Sequence, residues 1–138
     1  MLPLIQIIWR SRKNCCLPVL ASDQENYLQF IAYQENDVLQ TNRYHILEPE
    51  FDPARVIALM DINVVFVPLT AFDNQGYRLG SGGGYYDRTF AFLNSQQRPS
   101  VPFLIGVGFA EQQVENLPHD GWDVKLDGVL TEKEFLKF

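Results

Sequence analysis

The sequence predicts an α/β domain with a largely parallel central sheet flanked by helices. Three observations carry that expectation. Apolar, β-branched runs at residues 61–68 and 102–107 have the length and composition of strands buried on both faces. Segments able to form helices separate these runs, as crossovers between parallel strands require. A cluster of glycines follows the first run and precedes a helical pattern, in strand–loop–helix order.

The elements follow in chain order. Residues 15–20 and 28–33 each read as a strand, with the polar stretch 21–26 as the turn between them. Asp52-Pro53 is a helix start, because Asp accepts hydrogen bonds from free amides and Pro suits the first helical position; a short helix to about residue 59 is expected. A strand at 61–68 leads to the glycine-rich segment, and a helix is expected from Tyr85 to about residue 96. A strand at 102–107, a polar helix or turn near 111–116 and a short strand at 128–131 complete the pattern. The expected arrangement is a Rossmann-like three-layer domain spanning residues 1–138. Ligands in such sheets sit beyond the carboxyl ends of the strands.

Composition narrows the function classes. The 138 residues are 46% hydrophobic and 13% aromatic, enough for a core and for rings lining a cleft. Seventeen acidic against eleven basic side chains give a net charge of −6, which repels a polyanionic backbone and argues against nucleic-acid binding. An anionic small ligand must then be met by particular arginines, backbone amides or a metal. The two cysteines, Cys15 and Cys16, are adjacent; strand neighbours point to opposite faces, so they suit neither a structural disulfide nor a zinc site. The apolar start at residues 1–9 is too short to span a bilayer, and its basic cluster follows rather than precedes the apolar run. A cytoplasmic protein without membrane association is expected.

Chemistry concentrates at residues 78–88, RLGSGGGYYDR. Five of the nine glycines (Gly76, Gly80, Gly82, Gly83 and Gly84) fall within nine positions. Without Cβ atoms the backbone amides can approach a phosphate closely, and Arg78 and Arg88 bracket the loop with positive charge. The spacing is neither a Walker loop nor the dinucleotide G-x-G-x-x-G pattern, so a tight turn without a ligand also fits it. Asp87 would repel phosphates in the same turn unless Mg²⁺ bridged them, which makes it a metal-ligand candidate conditional on phosphate binding. Tyr85 and Tyr86, about 100° apart on a helix, can divide between cleft and core. His45 and His119 lack partners at a catalytic spacing and read as surface or turn residues. Arg43 and Lys125 read as surface charges or members of local ion pairs.

The ordered stretch from the strand ending at Pro68, through Phe72-Asp73 and Gly76, to Arg78–Asp87 resembles the signature of the 5-formyltetrahydrofolate cyclo-ligase family. The motifs ILEP at 46–49 and VKLDGVL at 124–130 extend the resemblance over most of residues 17–132. It implies an enzyme that uses ATP and Mg²⁺ to phosphorylate the formyl oxygen of 5-formyltetrahydrofolate. Closure then gives 5,10-methenyltetrahydrofolate, ADP and phosphate. Carried over by position, Arg78, Leu79, Gly80, Ser81, Gly82, Gly83, Gly84, Tyr85 and Tyr86 would hold ATP, with Arg78 and Tyr85 in catalytic roles. Glu48, Ser81, Gly82, Gly83, Gly84 and Tyr85 would contact folate, and Asp87 and Asp127 would bind the metal. Asp127 also suits an ordinary turn before Gly128, and Glu48 a solvated position before Pro49.

Family members carry a further N-terminal segment that supplies phosphate-binding Lys and Arg residues. The chain is expected to start after it, as the larger C-terminal part of a cyclo-ligase, and the surface so uncovered suggests a homo-oligomer. Two other readings stand beside the ligase. One is a catalytically impaired nucleotide- or folate-binding remnant that self-associates. The other is a different α/β enzyme related to sugar-phosphate isomerases or acyl-CoA transferases, although no catalytic carboxylate or lysine motif of that class is evident.

Overall fold

The computed structural model describes residues 2–20, 26–80 and 82–138. The fold falls into two compact units, Met1–Leu59 and Met60–Phe138, and each is described by itself. Among the described residues no helix is long and apolar enough to cross a membrane.

The first unit opens with α1 (Leu2–Arg10), followed by strands β1 (Cys16–Leu20) and β2 (Leu28–Ala32), both at expected positions. They pair antiparallel, with Pro18 opposite Phe30. The expected turn at 21–26 falls mostly on residues 21–25, outside the described residues. Val19, Phe30 and Ile31 are buried, and the Trp9 indole donates to the Tyr33 carbonyl at 3.2 Å. Cys15 and Cys16 are both free. Burial, with Cys15 alongside, pushes the Cys16 thiol up to about 11.

A hairpin unforeseen from the sequence joins β3 (Leu39–Thr41) to β4 (Leu47–Pro49). Asn42 Oδ1 accepts from the backbone N–H groups of Tyr44 and Ile46, and His45 takes a left-handed φ of 60° at its tip. The helix expected over 52–59 is corrected. Asp52 does cap, accepting from Ala54 N at 2.9 Å, but only one 3₁₀ turn, Pro53–Arg55, forms. β-branched Val56 and Ile57 instead make β5 (Val56–Ile57), pairing antiparallel with Ile31 and Phe30.

The second unit contains β6 (Val64–Pro68), the short hairpin β7 (Ala71–Phe72) and β8 (Arg78–Leu79), and α2 (Tyr85–Thr89). Strands β9 (Phe103–Val107), β10 (Gly128–Leu130) and β11 (Phe135–Lys137) follow. Its four-stranded sheet has the order β11-β10-β9-β6. β6, β9 and β10 are mutually parallel and β11 closes the edge antiparallel, so this sheet is largely parallel as expected.

Two expectations change here. β6 is not buried on both faces: Val65 and Val67 are buried, Phe66 is half-buried and Val64 is 43% exposed. The helix expected over 85–96 stops at Thr89, and a 3₁₀ turn, Ala91–Asn94, replaces the rest. That tighter turn belongs to a segment in which Phe90 and Leu93 are 0% and 1% exposed.

Candidate functional site

The glycine loop lies between β8 and α2. Gly82 and Gly84 have φ of 99° and 70°, left-handed conformations that glycine takes at no steric cost, and Gly84 is the N-cap of α2. Ser81 lies outside the described residues. Because α2 has five residues, the backbone dipole it adds is small. The loop's capacity for an anion therefore rests on its amides and its two arginines.

Both arginines fold back on the loop. A Cβ at Gly80 would meet Arg78 Nη1 at 2.6 Å, and one at Gly84 would meet Arg88 Nη1 at 2.8 Å. Arg78 Nη1 donates to the Pro68 carbonyl, at the carboxyl end of β6, at 3.1 Å; Arg88 Nη2 donates to the Gly83 carbonyl. Arg78 sits 5.1 Å from the Tyr86 ring centroid, and Arg88 5.3 Å from that of Tyr85. Burial pulls the Arg78 guanidinium below its ordinary value, while Asp87, Tyr86 and Asp123 oppose that shift. Arg78 makes no ion pair among the described residues.

The two tyrosines divide their partners. Tyr86 stacks on Phe90 at 6.4 Å, and burial pushes its phenol up despite Arg78 nearby. Tyr85 covers the loop: a Cβ at Gly83 would touch its ring at 2.9 Å. Leu79 is 51% exposed.

The expected metal ligands are tied elsewhere by one oxygen each. Asp87 Oδ1 accepts from Val124 N at 3.0 Å, leaving Oδ2 unbonded among the described residues. Asp127 Oδ2 accepts from Leu104 N at 2.8 Å and from Arg98 Nη2 at 3.3 Å. Among the described residues no group of three or more His, Cys, Asp or Glu side chains could hold a metal. Glu48, in the first unit, uses Oε2 to accept from Leu20 N at 3.3 Å and Asn42 Nδ2 at 3.2 Å, which ties the β3–β4 hairpin to β1.

Sequence reasoning gave no site role to four contributors, Asp73, Tyr77, His119 and Lys125. Asp73, 2% exposed, accepts from Gln75, Tyr77 and Leu117 amides at 2.9, 3.1 and 3.0 Å, and so shapes the turn that presents Arg78. Its Asp-x-x-Gly context was a turn signal. Tyr77 stacks on His119 with centroids 3.6 Å apart, and Lys125 lies 5.0 Å from the same ring. The pair lines a cavity of about 530 Å³ with Arg98 and Asp123. His119 and Lys125 thus have aromatic partners that no local spacing announced.

Fold and loop together define an α/β protein whose glycine-rich strand-to-helix turn is backed by two arginines. The chain belongs to the 5-formyltetrahydrofolate cyclo-ligase family, whose model matches residues 1–132. It is 42% identical over 127 residues to the 5-formyltetrahydrofolate cyclo-ligase of Haemophilus influenzae, covering 92% of this chain and 66% of that protein. It is also 42% identical over 131 residues to that of Escherichia coli K12, covering 94% and 69%. The solved structure of Aquifex aeolicus 5,10-methenyltetrahydrofolate synthetase superposes with a TM-score of 0.75 at 30% identity, covering 99% of this chain and 63% of that one. The chain thus spans about two thirds of the length of these relatives.

Proposed function

We infer that this chain carries the nucleotide-phosphate loop of an enzyme that converts 5-formyltetrahydrofolate to 5,10-methenyltetrahydrofolate with ATP. The observation that carries the reading is the packing of Arg78 and Arg88 against Gly80 and Gly84, two guanidinium groups held at a bare backbone. Family membership supplies the reaction class. The helix-flanked, Rossmann-like three-layer arrangement is part of this reading.

The chemistry asks mainly for positioning and charge neutralisation. The amides of Gly80, Ser81, Gly82, Gly83 and Gly84 bind the phosphate oxygens. Arg78, anchored on the Pro68 carbonyl, neutralises charge as the γ-phosphoryl moves to the formyl oxygen. Tyr85 shields the loop from water and, with Gly82–Gly84, faces the folate. Attack by the neighbouring folate nitrogen on the activated formyl carbon then releases phosphate.

Asp87, with Oδ2 unbonded among the described residues, fits as a Mg²⁺ ligand alongside the nucleotide phosphates, and Asp127 offers Oδ1 for the same purpose. When bound, Mg²⁺ supplies charge compensation for the triphosphate.

Mixing the chain with MgATP and 5-formyltetrahydrofolate tests the reading, with methenyl product followed by absorbance. Product formation that Asp87→Ala abolishes is expected. Absence of both turnover and any ATP-induced rise in Tm overturns it.

A further inference from the structure

Strand β11 (Phe135–Lys137) is an edge of the four-stranded sheet and pairs with β10 alone among the described residues. Its backbone divides between its two sides. Thr131 N donates to the Glu134 carbonyl at 2.9 Å, and Phe138 N to the Asp127 carbonyl at 3.0 Å. In an antiparallel ladder bonded pairs alternate with unbonded ones, so Leu136 is bonded to Val129, while the pairs Leu130–Phe135 and Gly128–Lys137 are not. The N–H and C=O groups of Phe135 and Lys137 therefore point away from β10. Phe135 is 45% exposed, and Lys137 is exposed beside it on the same face. An edge in that condition is a template for another strand.

Register decides which strand fits. A second copy of β11, laid antiparallel about a twofold axis, can align the outward-facing residues in three ways. Phe135 opposite Phe135 gives one bonded pair only, because the next outward position is Lys133, whose N–H is already given to Thr131 Oγ1 at 3.2 Å. Lys137 opposite Lys137 brings like charges together. Phe135 opposite Lys137 gives two bonded pairs, sets each ammonium beside the ring of the other copy and puts Leu136 against Leu136 on the axis. A lysine on an edge ordinarily discourages pairing; here the register with the fullest set of bonds offers it an aromatic ring in place of another charge. We propose that β11 pairs with β11 of a second copy in this register, joining two four-stranded sheets into one. The interface is narrow, so the dimer is weak, with a Kd between about 10 μM and 1 mM.

The inference stands apart from the ligase reading and its test needs no nucleotide. Sedimentation of the 138-residue chain over micromolar to millimolar concentrations is expected to show a monomer–dimer equilibrium. Lys137→Pro removes one outward donor per copy and no bond to β10, at an edge position that tolerates proline. Its Kd should rise about tenfold or more at unchanged Tm. Leu136→Cys places two thiols across the axis at a Cα separation of about 4.5 Å, within disulfide reach. Air oxidation should then give a covalent dimer absent from the wild type, whose Cys15 and Cys16 serve as the control. A chain still monomeric at about 1 mM overturns the proposal. So does a Lys137→Pro variant with the wild-type Tm and Kd, since the pairing then lies elsewhere. If Lys137→Pro lowers the Tm, the cysteine variant decides alone, and cross-linking no greater than in the wild type overturns the proposal.

Discussion

The guanidinium of Arg78 occupies the space that a side chain at position 80 would need: a Cβ on Gly80 would lie 2.6 Å from Arg78 Nη1. The absence of a side chain at one position thus sets where the charge of the other sits. Gly80→Ala should leave the fold nearly intact, since only the end of a flexible side chain must move, but should displace Arg78. A drop in ATP affinity of roughly 10–100-fold is expected, the worth of one charge-assisted bond. Calorimetry for affinity and thermal melting for the fold separate the two effects.

Arg78→Lys keeps the charge but loses the planar group that reaches the Pro68 carbonyl and lies by the Tyr86 ring. Nucleotide affinity should fall about as far as in Arg78→Ala. Near wild-type affinity in the lysine variant would show that charge alone suffices.

Asp73→Ala should be the costliest single change near the loop. It leaves three amides, those of Gln75, Tyr77 and Leu117, without their acceptor in a region where position 73 is 2% exposed. The loss should be about 3 kcal/mol or more, readable as a lower urea midpoint.

Asp127→Asn distinguishes structure from metal binding. The amide oxygen can still accept from Leu104 N, and the pair with Arg98, whose side chains are 28% and 25% exposed, contributes about 1 kcal/mol. Stability should change little. If Asp127 serves Mg²⁺, the Mg²⁺ dependence of ATP binding should weaken; unaltered dependence would leave Asp127 a structural residue only.

Cys16 sets an alkaline limit. Its folded value, about 11, is raised above the ordinary 9.0 because burial disfavours the thiolate. The unfolded chain therefore releases its proton first as pH rises. The stabilisation is fully present below pH 9.0 and is lost as pH climbs through about 11. Urea midpoints at neutral and strongly alkaline pH should converge more closely in Cys16→Ala than in the wild type.

Residues 85–96 show where local pattern fails. The helix start at Tyr85 was legible from the glycines before it, but its end was not, because the segment buries Phe90 and Leu93 and tightens after Thr89. Residues 52–59 fail in the same way. Asp52 caps as its side chain dictates, yet Val56 and Ile57 are taken into a sheet by partners 25 or more positions upstream. The β3–β4 and β7–β8 hairpins were missed because their strands of three and two residues are too short to display a period.

What the sequence determined by itself was local: β1, β2, β6, β9 and β10 from runs of apolar residues, and the glycine loop from backbone freedom that only glycine has. Family membership was legible for the same reason, since its signature is contiguous. The tertiary structure decided how side chains were used. Arg78 rests on a carbonyl ten residues back, Asp87 on an amide 37 residues ahead, and Asp127 on Leu104 and Arg98. Those partners meet only when parallel strands and their loops come into register, a long-range condition that no local spacing encodes.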